Sequence, residues 1–349
     1  MSTNQGVPEG TEITITKPDD WHVHLRDGAE MKSVVGYTAT PFRRALIMPN
    51  LEPPITTIYQ LMSYRNQILG MTSHGFNPFM TLYLTNMTSP DEVTRAVADG
   101  SVKAMKLYPA GATTNSAAGV TDITKIYPVL ERMQELGMAL SVHGETSDPS
   151  VDPFDRERVF VENQLQRIVD EFPDLKIVLE HVSTIEGIQF VERQCGNVAA
   201  TITAHHLLLN RKAIFVGCLR PEHFCLPILQ SENHRLALLK AATSGSPKFF
   251  LGTDSAPHNK HAKHNLGRGG CFTAPVALGL YAEAFEQAEA LDKLEGFASH
   301  FGADFYGLPR NTETITLIKD PCVVPLEYPF GGDWVVPVRS GGMVQWRVK

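Results

Sequence analysis

Eight short runs rich in aliphatic and β-branched residues recur along the chain, and most are separated from the next by a segment long enough for a helix. They cover residues 13–24, 44–49, 79–85, 102–108, 139–144, 176–181, 198–205 and 248–254. The segments between them carry helical spacing. Within 122–136, Ile123, Ile126, Val129, Leu130 and Met133 share one face behind Thr121 as a candidate N-cap, and 57–69, 90–99, 155–172, 185–194 and 233–242 read the same way. Strands that are apolar on both faces need cover on both sides, which is what alternating helices provide for a parallel sheet. The pattern predicts an α/β fold, a closed (β/α)8 TIM barrel, in preference to an open doubly wound sheet. No glycine-rich fingerprint follows the first strand, which weakens a dinucleotide site.

Past the eighth run, a Gly-rich turn leads to predicted helices over 274–289 and 290–302. The tail from Thr312, punctuated by PCVVP and EYPFGGDW, reads as short extended segments packed on the barrel. No repeat, low-complexity tract or linker interrupts the sequence. Residues 1–349 are therefore expected to form a single (β/α)8 barrel domain with extra C-terminal helices and tail from about residue 273. A chain of 349 residues that is 43% hydrophobic can bury a continuous core of that kind.

The net charge of -7 is mild and the 31 basic residues are scattered, so no nucleic-acid partner is expected. The opening MSTNQGVPEGTEITI has no basic and apolar leader pattern, and no stretch is long and apolar enough to span a bilayer. The chain reads as cytoplasmic with no membrane partner. Cys195, Cys218, Cys225, Cys271 and Cys322 are odd in number and form no CxxC pair, which argues for reduced, mostly buried thiols over a disulfide framework or zinc ribbon.

Where the polar residues fall is more informative. The first run ends DDWHVHLRD, placing His22 and His24 two residues apart on one side of a strand, where two imidazoles can meet one ion. Lys106, His143, His181 and Asp254 end the fourth, fifth, sixth and eighth runs. Each alone has a plainer reading: a surface or core histidine, or a helix N-cap at Asp254. In a (β/α)8 barrel the C-terminal strand ends share one face, so the six converge, and a metal centre explains the set better. Lys103 faces the opposite way from Lys106 and reads as a surface charge. His205 and His206, at the end of the seventh run, read as structural, and His261 and His264 as solvated.

The strings PDDWHVHLRDG, MPNLEPP, KLYPAGATTNS, VHGE, LEHVST, GCLRPEHFCLP and GTDSAPH resemble the amidohydrolase superfamily, and closely its dihydroorotases of the shorter, stand-alone bacterial class, from about Ile13 to the C-terminal RVK. The resemblance implies a binuclear centre of two divalent ions. His22 and His24 would bind the first, His143 and His181 the second, and Lys106, as N6-carboxylysine, would bridge them. Asp254 would complete the first site and act as general acid and base. Four imidazoles with oxygen donors favour zinc. The reaction implied is the reversible cyclisation of N-carbamoyl-L-aspartate to L-dihydroorotate in de novo pyrimidine (UMP) biosynthesis.

Arg26 offers a planar fork to the substrate carboxylate. Asn50 and His258, the latter read as one helical turn beyond Asp254, match the family's other carboxylate contacts, and the backbones of Leu226 and Gly269 would meet the ring's polar edge. Gly269 stands where alanine is commoner. His24 and His143 would also border the substrate. The segment 109–119, PAGATTNSAAG, is expected to be a mobile lid lending the Thr113 and Thr114 hydroxyls. Stand-alone relatives imply a homodimer. A hydantoinase or allantoinase would share the metals without the carboxylate receptor, and a non-catalytic assembly protein on this barrel would have lost ligands, whereas all six positions are kept here.

Overall fold

The computed structural model describes residues 7–72 and 75–349. The first six residues of the opening stretch thus lie outside the described residues. In chain order the first nine strands are β1 (Glu12–Thr16), β2 (Asp19–Val23), β3 (Arg44–Ile47), β4 (Asn77–Tyr83), β5 (Val102–Leu107), β6 (Ala139–Val142), β7 (Ile177–Leu179), β8 (Val198–Ile202) and β9 (Phe249–Leu251). Strands β2 to β9 pair in sequence order, all parallel. Backbone bonds Asp254 N to His22 O (2.8 Å) and His24 N to Ser255 O (3.1 Å) bring the last strand back against the first. The fold is the predicted (β/α)8 barrel.

The predicted first strand needs correction. The run 13–24 breaks at Lys17–Pro18, and only β2 belongs to the barrel. Proline has no N–H to donate to a ladder, so the chain changes sheets there. Strand β1 pairs antiparallel with β10 (Thr314–Val323), which pairs in turn with β13 (Met343–Val348), and β11 (Tyr328–Phe330) and β12 (Asp333–Val335) form a small hairpin. The tail is thus less fragmentary than its prolines and glycines suggested. At ten residues, β10 ties the start of the described chain to its end.

Most helices follow their sequence signals. Ile58–Met71 begins with a reciprocal Thr57/Gln60 capping box, and Pro90–Asp99 ends at Gly100 in the left-handed conformation. Others depart. Residues Ile123–Ile126 form a 3-10 turn capped by Asp122 rather than Thr121, before the helix Tyr127–Leu136. The predicted helix 155–172 contains a π-helical turn at Val161–Leu165, and 290–302 is divided into short turns around Gly296–His300. Gly28–Ala39, between β2 and β3, is a helix that the sequence reading did not mark.

The barrel interior is layered. Leu46, Phe79, Ala104, Ala139, Val178, Ala199 and Phe250 form an apolar cluster inside, closed by Trp21 and residues of Phe301–Phe305. Because side chains alternate along a strand, the next inward positions are two residues on: Lys106, Ser141, Glu180, Thr201 and Gly252. A further step gives His143, Thr203 and Asp254. Apolar packing at one level thus hands over to polar chemistry toward the C-terminal strand ends. Gly252 is needed for room, since a Cβ there would lie 2.8 Å from the Cβ of Thr201.

Candidate metal centre and substrate cavity

His22, His24 and Asp254 converge at the mouth of the barrel. Asp254 Oδ1 lies 3.0 Å from His24 Nε2 and 3.5 Å from His22 Nε2. The far nitrogens are occupied elsewhere: His22 Nδ1 meets Glu180 Oε2 at 2.8 Å and His24 Nδ1 meets Asn50 Oδ1 at 2.7 Å. Since neither oxygen can donate, each Nδ1 carries the proton and each Nε2 turns a lone pair toward the shared space.

His143 uses the opposite tautomer. Its Nε2 donates to Glu145 Oε2 at 2.7 Å, leaving the Nδ1 lone pair 3.3 Å from His181 Nε2. Burial holds His22, His24 and His181 below the usual histidine range, with the Lys106 charge adding to the effect on His22 and the His143 and Lys106 charges on His181. All three are therefore neutral near pH 7, the form that ligates a metal.

Lys106 lies beneath this group, fully buried, its Nζ without a hydrogen-bond partner among the described residues and 5.0 Å from the centre of the Tyr108 ring. Burial pushes its ammonium below the usual lysine range, partly opposed by Glu180 and Asp254. An orphaned buried amine beside four imidazoles and a carboxylate is costly as it stands, and it fits a position completed by a ligand. Burial alone would raise Asp254. In the acid range where this carboxyl titrates, a proton on His24 Nε2 donated to it and the charges of His22, His24 and Lys106 more than offset burial, leaving it below its usual range.

The backbone is bent to make this arrangement. Arg26, His181 and Asp254 have positive φ angles of 62°, 41° and 43°, uncommon for residues with side chains. For His181 the bend has a clear consequence. Glu180 already takes the inward position after Val178, and the left-handed turn brings the next side chain inward as well.

One narrow cavity is lined by all the expected metal ligands except Lys106 and by every expected substrate contact: Arg26, Asn50, Thr113, Thr114, Leu226, His258 and Gly269, with His24 and His143. The Arg26 guanidinium is oriented by the Pro257 carbonyl (2.8 Å) and His258 Nε2 (3.0 Å). His258 does not sit one helical turn beyond Asp254. The stretch 255–259 is non-helical, held by a bridge between Ser255 and Cys271, and the next helix is Lys260–His264. Asn50 has a role the sequence did not suggest, orienting His24. The segment 109–119 folds over the cavity, with Asn115 Nδ2 on the Asn50 carbonyl at 3.2 Å and the Thr114 hydroxyl 3.4 Å from the Gly269 carbonyl.

Glu180, Glu145 and Asp20 are the polar residues that sequence reasoning missed. Glu180 accepts from Ser141 (2.5 Å) and Thr201 (2.6 Å) besides His22. Asp20 accepts from Thr253 N and Oγ1 at 2.9 and 2.6 Å, and its burial raises its carboxyl to about 7. Strand alternation could have flagged Glu180, two residues beyond inward Val178. Lys103 is partly exposed, its Nζ 4.9 Å from the centre of the Phe79 ring.

His205 and His206 lie on the helix Ala204–Leu208 rather than ending a strand, because Thr203 caps that helix. With Cys225 they form a second group of ligating side-chain types. Cys225 Sγ and His206 Nε2 already contact the Pro227 carbonyl, and the nearby Lys263 charge disfavours an additional cation. His261 and His264 are exposed, on the helix Lys260–His264 rather than in a turn. The thiols are not mostly buried: Cys225 and Cys271 are, whereas Cys195 and Cys218 are exposed and Cys322 is intermediate.

A parallel barrel with histidines, a buried lysine and an aspartate at its strand ends defines a class. The chain belongs to the amidohydrolase family, whose sequence model matches residues 15–344. It is 58% identical to a dihydroorotase of Vibrio vulnificus over 341 residues, covering 97% of this chain and all of that protein. Among solved structures, a dihydroorotase from Campylobacter jejuni superposes with TM-score 0.90 at 34% identity, covering 98% of this chain and 99% of that one. The dihydroorotase of Saccharomyces cerevisiae in complex with 5-fluoroorotic acid gives 0.89, also at 34% identity, covering 97% and 98%. Within the family the chain is thus one of the dihydroorotases.

Proposed function

We propose that the chain catalyses the reversible cyclisation of N-carbamoyl-L-aspartate to L-dihydroorotate, a step of pyrimidine biosynthesis, at the cavity over the barrel mouth. One observation carries the substrate reading: the buried Arg26 fork, steadied by Pro257 and His258, lines the same cavity as the His22–His24–Asp254 group. A ring amide and its neighbouring carboxylate can thereby be held together. The histidines, Asp254 and Lys106 suit two divalent ions. His22, His24 and Asp254 would hold one, His143 and His181 the other, and a carboxylated Lys106 would reach both. Zinc is the ion that four imidazoles with oxygen donors suit best.

When bound, such a pair supplies a hydroxide at neutral pH and polarises an amide carbonyl. The chain's own groups do the rest. Lys106, whose ammonium burial makes easier to deprotonate, gives up one proton, attacks carbon dioxide through the freed Nζ lone pair as one C=O electron pair moves onto oxygen, and loses a second proton, so that a cation becomes a carbamate anion. Asp254, ionised at neutral pH, takes a proton from the attacking oxygen and returns it to the departing ring nitrogen. In the biosynthetic direction the same transfers run backward. Arg26, Asn50 and His258 hold the carboxylate, and Thr113 and Thr114 close over the substrate.

The reading extends to a cytoplasmic homodimer acting on small molecules. No described helix is long and apolar enough to cross a membrane, and exposed Phe215, Val216 and Leu219 offer an apolar surface that a second copy could cover. Sedimentation of the purified chain tests the dimer. The function is tested by hydrolysis of dihydroorotate, hydantoin and allantoin on protein of measured zinc content. Turnover of dihydroorotate well above the others is expected. Preference for hydantoin or allantoin would overturn the substrate assignment, and a folded chain that binds no metal would favour a non-catalytic role.

A further inference from the structure

We propose that Lys263 is a positioning residue whose ammonium fixes the backbone edge that reads the substrate ring. The inference rests on the reading that Leu226 and Gly269 meet that ring through their peptide groups. Lys263 lies on the helix Lys260–His264 and is only 7% exposed. Its Nζ reaches the carbonyls of Phe224 at 2.8 Å, Arg268 at 3.0 Å and Gly270 at 2.7 Å. An ammonium has three donors and no acceptor, so these carbonyls saturate it. Surface lysines do not adopt such an arrangement by default, because burying a cation is costly unless its bonds are replaced.

The three carbonyls bracket the expected ring contacts. Phe224 is two residues before Leu226, while Arg268 and Gly270 flank Gly269. The two segments touch each other as well: Gly270 N donates to the Phe224 carbonyl at 2.9 Å, and a Cβ on Gly269 would lie 3.1 Å from Leu226 Cγ. Arg268 also donates through its guanidinium to Asn115 Oδ1 at 2.9 Å, inside the segment that covers the cavity. Leu226, Gly269 and Gly270 line the cavity, and Lys263 sits behind them. One buried cation thus links the ring-reading edge to the anchor of the cover.

The test compares zinc-loaded wild type with Lys263→Met and Lys263→Gln. Met is unbranched and strands all three carbonyls, whereas Gln retains two donors. Weakened backbone contacts made equally in ground and transition states raise KM and spare kcat. The expected result is a KM for dihydroorotate raised on the order of tenfold in Lys263→Met, the worth of about one hydrogen bond. Lys263→Gln should be intermediate, with kcat and zinc content little changed. Amide hydrogen exchange at 224–226 and 268–270 should quicken in the same order.

Unchanged KM and exchange in a folded variant would overturn the proposal, as would a lower melting temperature with KM unaltered. If Lys263→Met does not fold, Lys263→Gln carries the same comparison. Failure of the dihydroorotase reading is separable: wild type would not turn over dihydroorotate, and the exchange measurement would still decide whether Lys263 holds the two segments.

Discussion

Glu180→Gln isolates one electrostatic contribution to the proposed metal centre. The glutamate accepts from His22 Nδ1 at 2.8 Å, Thr201 Oγ1 at 2.6 Å and Ser141 Oγ at 2.5 Å. Gln has the same shape. Its amide oxygen can take both bonds now made to Oε2, and its NH2 can donate to Ser141, whose hydroxyl turns to accept. The hydrogen bonds survive and the negative charge is removed. A neutral acceptor makes the His22 bond weaker by about 1 kcal/mol and the imidazole less basic. Carboxylates that orient metal-bound histidines are worth roughly 10- to 100-fold in metal affinity, about 1.4–2.7 kcal/mol. Competition against a zinc-binding dye should show that loss in Glu180→Gln, with a melting temperature close to wild type once both are metal-free. Affinity within about twofold of wild type in a folded variant would refute the argument, leaving Glu180 as a packing residue of the polar layer.

Four further outcomes follow from the same geometry. Lys106→Ala should lose both ions and activity, read by metal analysis and turnover; two retained ions per chain would remove its bridging role. Asp254→Asn should keep most of its metal and its affinity for dihydroorotate while turnover falls roughly 100- to 10,000-fold. Since the Asp254 carboxyl is held below its usual value, wild-type hydrolysis should be flat above that depressed pKa and fall as pH drops through it, a limb that should be missing from the mutant's profile. Arg26→Met should leave the metals in place and weaken dihydroorotate binding by about 2–4 kcal/mol in equilibrium titration, the cost of leaving a carboxylate unpaired. Removing three residues from 113–115 should lower turnover without changing metal content, and unchanged kinetics would make the segment a passive loop.

The barrel and its ring of strand-end residues were legible in the sequence because both depend on short-period information. A strand alternates every two residues, a helix every three or four, and a polar residue at the end of an apolar run is visible without knowing its neighbours. What was illegible depends on pairs far apart in the chain. Glu180 meets His22 across 158 positions, and before folding it looks like any charged residue beside a turn. Asn50 could be picked out as a polar residue after a strand, but its bond to His24 needs the barrel to close.

Backbone bends were hidden for a different reason. Alternation would point His181 away from the site once Glu180 points in, and only its φ of 41° reverses this. The same limit explains His258: counting one helical turn from Asp254 put it on the right side by the wrong route, since the chain there is non-helical and Ser255 bridges to Cys271. Residue type therefore identified which side chains could take part in the chemistry, whereas their orientation is set by carboxylates, amides and strained backbone that have no local signature. Mutating those orienting groups, beginning with Glu180 and Lys263, tests the part of the site that sequence comparison of the reacting residues alone would leave untouched.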